Sequence, residues 1–117
     1  MELWDVYDAR RQLTGRTHRR GVPMQPGDYH LIVFVWIFNS AGQLLLTKRS
    51  PEKESYPNLW ETTGGAVIAG ETSREAIVRE LREETGILAA PEEFVFLDSV
   101  RGKTWISDTY ALRRDVP

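Results

Sequence analysis

The sequence predicts one mixed α/β domain, and three observations carry that expectation. The segment 73–85 is marked as a helix at both of its ends. Apolar runs rich in β-branched and aromatic residues lie on both sides of it. A length of 117 residues with 41% hydrophobic content fits a single core over 1–117. Strands before and after one strong helix exclude an all-helical or all-strand layout.

Taken in chain order, residues 2–7 alternate in character as a half-exposed strand does, and a polar stretch separates them from a partner run at 13–18. This predicts a hairpin at a sheet edge. Arg19 through Gly27 holds two prolines and two glycines and reads as a loop, with Arg19 and Arg20 solvated. His30 to Phe38 is almost unbroken β-branched and aromatic sequence, which predicts a central strand covered on both faces, with Trp36 and Phe38 in the core. His30 reads as a packed histidine rather than a ligand. A turn at 39–42 precedes a strand from Gln43 to Lys48, and the charged, proline-containing stretch from Ser50 to Pro57 is an exposed loop.

The helix is the best-marked element. Thr72 and Glu75 form the T-x-x-E pattern of a capping box. Ile77, Val78 and Leu81 make the apolar stripe, and Gly86 stands where a left-handed C-terminal cap is expected. A loop from Pro91 follows, then strands over Phe94–Val100 and Thr104–Leu112 around Arg101, Gly102 and Lys103.

Composition excludes several functions. No cysteine is present, which removes disulfides, thiolate zinc sites and thiol nucleophiles. Seventeen acidic against fifteen basic side chains leave no net excess to hold duplex nucleic acid. The apolar run from Leu31 to Phe38 is far too short to cross a bilayer, and the N-terminus lacks a secretion-signal pattern. The expectation is a cytoplasmic protein without a membrane partner.

At 100° per residue, with Glu80 as zero, Glu84 falls at about +40° and Glu83 at about −60°. Three carboxylates thus share one narrow face beside the apolar stripe, and Arg79 lies four residues before Glu83. Like charges at this spacing repel, and in the last turns of a helix they also oppose its dipole by roughly 0.3–1 kcal/mol each. An acidic helix face is ordinarily a solvated surface. Here two local rules are broken together, beside Gly64, Gly65 and an isolated Glu71, which leaves a divalent-cation site open as an equal reading.

Gly65, five residues, Glu71, seven residues, then Arg79, Glu80, Leu81, Arg82, Glu83, Glu84, Thr85, Gly86 and Ile87 resembles a complete Nudix box, G-x5-E-x7-R-E-U-x-E-E-x-G-U, with U a bulky aliphatic residue. A chance match in a chain of this length is on the order of one in ten million at average residue usage. The resemblance implies a Nudix-type α/β/α sandwich with a mixed sheet. It implies hydrolysis of a diphosphate linkage in a nucleoside diphosphate derivative or related small molecule, with Mg²⁺ or Mn²⁺ as cofactor. It further implies Glu80, Glu83 and Glu84 as metal ligands, aided by the Gly64 carbonyl. Arg79 would orient the carboxylates and pair with Glu71, while Gly65 and Gly86 would shape the box. Glu80 or Glu83 is the candidate general base.

The flanking sequence, Lys48-Arg49-Ser50 and then Tyr56 through Gly65, resembles the branch containing isopentenyl-diphosphate isomerase. That isomerase uses a catalytic cysteine and histidine metal ligands. This chain has neither the cysteine nor the expected glycine–histidine pair, since Gly65-Ala66 stands in its place. Lys48 and Arg49 are candidates for substrate phosphates and Trp60 for stacking, against solvated strand-end charges and an aromatic packing the box loop. Family members continue with a helix over the second sheet face, so a C-terminally truncated domain lacking that helix is expected, with a homodimer as one way to cover the face. A non-catalytic diphosphate-binding module and an isomerase-like enzyme on prenyl diphosphates are the alternative functions.

Overall fold

A computed structural model of the chain describes residues 2–45, 47–48, 60–61 and 63–115, with backbone alone at 45, 47, 48, 60 and 61. The first two strands, β1 (Leu3–Tyr7) and β2 (Leu13–Arg19), form an antiparallel hairpin as expected, with Trp4 opposite His18. It stands as a separate two-stranded sheet bridged to the rest at Tyr7 and Tyr29 rather than as an edge of the main sheet. The main sheet is built on β3 (His30–Phe38), which runs parallel to β9 (Trp105–Arg113) from the pair His30 and Trp105 to the pair Phe38 and Arg113. Its other edge is shared by β7 (Thr63–Ala66) and β4 (Leu44–Leu45), both antiparallel to it, and β8 (Val95–Arg101) closes the far side against β9. One parallel and three antiparallel ladders make the sheet mixed.

The parallel register decides where the core sits. It sets Leu31, Val33, Val35 and Ile37 beside Ile106, Asp108, Tyr110 and Leu112, all buried on one face. Helix α1 (Ser73–Thr85) covers that face with Ala76, Ile77 and Leu81. Among the described residues the second face is less covered, which corrects the expectation for β3: Ile32 and Phe34 are half-buried, and Trp36 and Phe38 are each 37% exposed rather than core. The alternation along β3 is that of a strand packed on one side, because α1 is the only α-helix among the described residues and covers one face alone. Among those residues no helix is long and apolar enough to cross a membrane.

Two further expectations are modified. The single strand over Gln43–Lys48 is two pieces in different ladders, since β5 (Thr47–Lys48) pairs with β6 (Trp60–Glu61) instead of β3. The loop at Pro91 begins as a 3₁₀ turn, Pro91–Glu93, because proline is pre-set for a first helical position and the Glu93 carboxylate accepts the Ala90 N–H at 2.7 Å.

The N-terminal hairpin is tied to the rest of the domain at both ends. Tyr7 and Tyr29 exchange backbone bonds of 2.8 and 2.9 Å, and the Leu3 carbonyl accepts the Ala69 N–H at 2.8 Å. Arg11, held in the left-handed region at φ 61° by a turn on Asp8, makes a two-pronged pair with Asp108, both bonds at 2.6 Å. Burial alone would raise the Asp108 pKa, but the bonds from Arg11, Ser73 and Ser99 outweigh it and hold the carboxyl below its ordinary value.

His30 heads β3 and stacks on Trp4, with ring centroids 3.9 Å apart and planes 8° from parallel. Its Nδ1 is buried without a partner among the described residues. Burial, with the positive charges of His18 and Arg20 adding to it, lowers its pKa to about 4. The unfolded chain therefore binds a proton that the folded chain refuses between pH 6.5 and 4. Stability should be complete above pH 6.5 and fall as the pH is lowered through that window. Thermal melts of the protein beside His30→Phe check this: the variant should lose the upper part of the decline, from pH 6.5 to 5.

Candidate active site

The helix that carries the acidic residues is defined by its own caps. Thr72 Oγ1 accepts the Glu75 N–H at 3.2 Å, and the Glu75 carboxylate accepts the Thr72 N–H at 2.8 Å. At the other end Gly86 adopts φ 77°, where its N–H reaches the Arg82 carbonyl at 2.9 Å. With both ends set and Ile77 and Leu81 buried, the flank holding Arg79, Glu80, Glu83 and Glu84 is turned toward β7.

Two glycines in β7 allow that approach. Gly65 pairs with Val33 and Gly64 with Phe34. A β-carbon at Gly65 would lie 2.6 Å from Glu80 Oε1, so the Glu80 carboxylate occupies the space where any other residue would carry its side chain. At Gly64 a β-carbon would strike the Val33 carbonyl oxygen. The Gly64 N–H donates to Glu84 Oε1 at 3.3 Å.

Arg79 is the hub of the cluster. Its Nε donates to Glu71 Oε2 at 2.6 Å and its Nη2 to Glu71 Oε1 at 3.0 Å. Nη1 reaches Glu80 Oε1 at 2.9 Å and Glu83 Oε2 at 3.2 Å, and Nη2 also donates to the Ala66 carbonyl at 3.1 Å. The bond to Glu71 is the largest cause of a raised Arg79 pKa, so the guanidinium stays charged throughout the working range. Glu71 also accepts the Ile68 N–H at 3.1 Å, which locks the loop between β7 and α1 to the same arginine. Glu80 is 16% exposed and Glu83 50%, so the inner carboxylate is sheltered and the outer one open to water.

The structure thus brings together Gly64, Gly65, Glu71, Arg79, Glu80, Glu83 and Glu84. Among the described residues, no three His, Asp or Glu side chains are grouped closely enough to hold an ion as they stand. Glu80 and Glu83 close on Arg79 instead, while Glu84 reaches Gly64. The donor set still suits a hard divalent cation, since it offers several carboxylate oxygens on one helix face and a cradle at Gly65 that leaves room for Glu80. Such an ion would compete with Arg79 for Glu80 and Glu83. Lys48 and Trp60 face each other across the β5–β6 ladder, but their side chains, and Arg49 entirely, lie outside the described residues. Sequence reasoning missed the Arg11–Asp108 pair and the Ala66 carbonyl bound to Arg79. The available signal for the first was an acid at Asp108 in step with Ile106, Tyr110 and Leu112.

A family model described as NUDIX domain matches residues 28–116. An uncharacterised Nudix hydrolase of Listeria monocytogenes is 48% identical over 89 residues, which are 75% of this chain and 53% of the relative. An isopentenyl-diphosphate Delta-isomerase of Escherichia coli is 37% identical over 70 residues, 59% of this chain and 38% of the relative. The crystal structure of DR0079 from Deinococcus radiodurans superposes with a TM-score of 0.81 and 29% identity, covering 99% of this chain and 74% of that one. The chain spans about half the length of the Listeria relative.

Proposed function

The chain belongs to the Nudix hydrolase family, and on that premise we propose that it hydrolyses a diphosphate linkage in a nucleoside diphosphate derivative or related small molecule, with Mg²⁺ or Mn²⁺ as cofactor. One observation supports this most. Arg79 gathers Glu71, Glu80 and Glu83 within 3.2 Å, beside a glycine that Glu80 needs in order to fit. An acidic face kept only for solubility needs no such cradle.

Glu80, Glu83 and Glu84 are the residues that would hold the ion, with the Gly64 backbone beside them. When bound, the ion supplies charge neutralisation at the diphosphate and a more acidic water. The chain's own contribution is arrangement. Arg79 holds Glu80 and Glu83 to one side, and Glu71 fixes Arg79 by a two-pronged bond. The proton of the attacking water passes to Glu80 or Glu83, and Glu83 is the one more open to solvent. Glu80, packed on Gly65, is the better placed to hold a constant position.

The isomerase relative does not carry its chemistry over, because the cysteine its branch uses has no counterpart among these 117 residues. The test is phosphate release from a panel of diphosphate compounds. Turnover should require Mg²⁺ or Mn²⁺, stop with EDTA and return when the metal is restored. Tight Mn²⁺ binding without turnover on any compound would replace the hydrolase reading with that of a binding module.

A further inference from the structure

We propose that Asp5, on the N-terminal strand and outside the box, is a positioning residue for the carboxylates assigned above to the metal ion, acting through the turn that carries Glu71. This rests on the hydrolase reading above and concerns the same site. Asp5 lies on β1, and its Oδ2 accepts the Gly70 N–H at 2.9 Å from 65 residues away in the chain. Two residues earlier, the Leu3 carbonyl accepts the Ala69 N–H at 2.8 Å. Strand β1 therefore holds two successive amides of the loop between β7 and α1.

Those amides belong to a tight turn. The Glu71 N–H closes it on the Ile68 carbonyl at 3.0 Å, and Gly70 bends the chain at φ 86°, a conformation that glycine adopts without strain. A turn of this kind satisfies its first carbonyl and its last amide, and leaves the two central amides to find partners elsewhere. Here β1 supplies both. Glu71 ends the turn, and its carboxylate accepts the Ile68 N–H as well as the two-pronged bond from Arg79. The shape of the turn thus fixes where Glu71 stands, and Glu71 fixes Arg79. The same junction walls a cavity that Leu3 and Ile68 share with Arg79 and Glu83.

This chain of contacts matters most once an ion is held. As the site stands, Glu80 and Glu83 also bind the guanidinium. With those two carboxylates given to an ion, Arg79 retains Glu71 and the Ala66 carbonyl. Its place beside the liganding carboxylates is then set from the Glu71 side, by a path that begins at Asp5. Removing Asp5 leaves the Leu3 bond in place, so the turn loosens without detaching. A displacement of well under 1 Å at a preorganised site costs about tenfold in rate.

The experiment compares the protein with Asp5→Ala, Asp5→Asn and Arg11→Lys. Asparagine keeps a side-chain carbonyl that accepts the Gly70 N–H, and alanine does not. Arg11→Lys loosens the other end of the same hairpin, where Arg11 grips Asp108, without touching the turn. In the metal-free protein, ¹⁵N NMR follows the Arg79 Nε–H, which donates to Glu71 at 2.6 Å. Its exchange with water should be at least fivefold faster in Asp5→Ala and within twofold of the protein in the other two. The Mn²⁺ dissociation constant, read by electron paramagnetic resonance, should rise about fivefold in Asp5→Ala alone. For whichever compound of the diphosphate panel is turned over, Asp5→Ala should lower kcat about tenfold with KM within threefold. Movement of the Arg79 signal and of Mn²⁺ affinity supports the assignment even where no compound is hydrolysed, an outcome that removes the hydrolase reading alone. An Arg79 signal and Mn²⁺ affinity indifferent to Asp5→Ala overturn the proposal and leave the hydrolase reading intact. Equal weakening of Mn²⁺ binding by Arg11→Lys overturns it too, since the effect would then belong to hairpin docking as a whole.

Discussion

Glu80→Gln is expected to lower kcat/KM for the hydrolysed diphosphate by about a hundredfold or more while the protein remains folded. The reason is the separation of shape from charge. Glutamine occupies the same space against Gly65, where a β-carbon would already be 2.6 Å from the carboxylate oxygen, so the packing of α1 on β7 is preserved. What disappears is the anionic donor, the property a divalent cation requires. Arg79 keeps Glu71 at 2.6 Å and Glu83 at 3.2 Å, so the guanidinium is not orphaned. The loss of stability should stay within about 1 kcal/mol. Phosphate-release kinetics beside a thermal melt provide the check. An active Glu80→Gln protein would move the essential carboxylate elsewhere.

The second large effect separates two neighbouring glycines. Gly65→Ala places its new carbon against the Glu80 carboxylate, 2.6 Å from Oε1 and 2.7 Å from the carboxyl carbon. That group ends a flexible side chain and can swing away, at a cost of about 1 kcal/mol. The swing takes Glu80 from its place beside Arg79, and a displacement of this order lowers activity by about a hundredfold. Gly64→Ala instead meets backbone: the Val33 carbonyl and, at 3.0 Å, Phe34 Cα. Neither can yield without opening the β3–β7 ladder, so this variant should lose about 3 kcal/mol of stability. Melts and kcat/KM of the two variants should therefore diverge, one stable and impaired, the other unstable. Equal melting temperatures would remove the proposed distinction.

How far the site was legible follows from which contacts are local. The helix, its capping box at Thr72 and Glu75 and its left-handed stop at Gly86 all lie within fifteen residues, and each is realised as read. The grouping of Glu80, Glu83 and Glu84 on one flank follows from the helical period alone. The pair between Arg79 and Glu71 spans eight residues across a loop, and it came from the family resemblance rather than from spacing. The cradle at Gly65 spans fifteen residues and depends on how closely α1 settles on β7, which no periodicity records. The two-sided cover expected for β3 failed for a related reason. A continuous apolar run reports that a strand is central, but whether Trp36 and Phe38 are buried depends on elements elsewhere in the fold.

The sequence by itself determined the family, the helix with its acidic flank and the alternation of strands around it, because each of these is written in residue types a few positions apart. Tertiary structure alone decided that Glu80 settles in the space left by Gly65, that Arg11 reaches Asp108 across 97 positions, and that Leu3 lines a cavity with Glu83. Those contacts join segments distant in the chain. They exist only after β3 and β9 pair in parallel, α1 packs on the resulting apolar face and the N-terminal hairpin is drawn against the box loop.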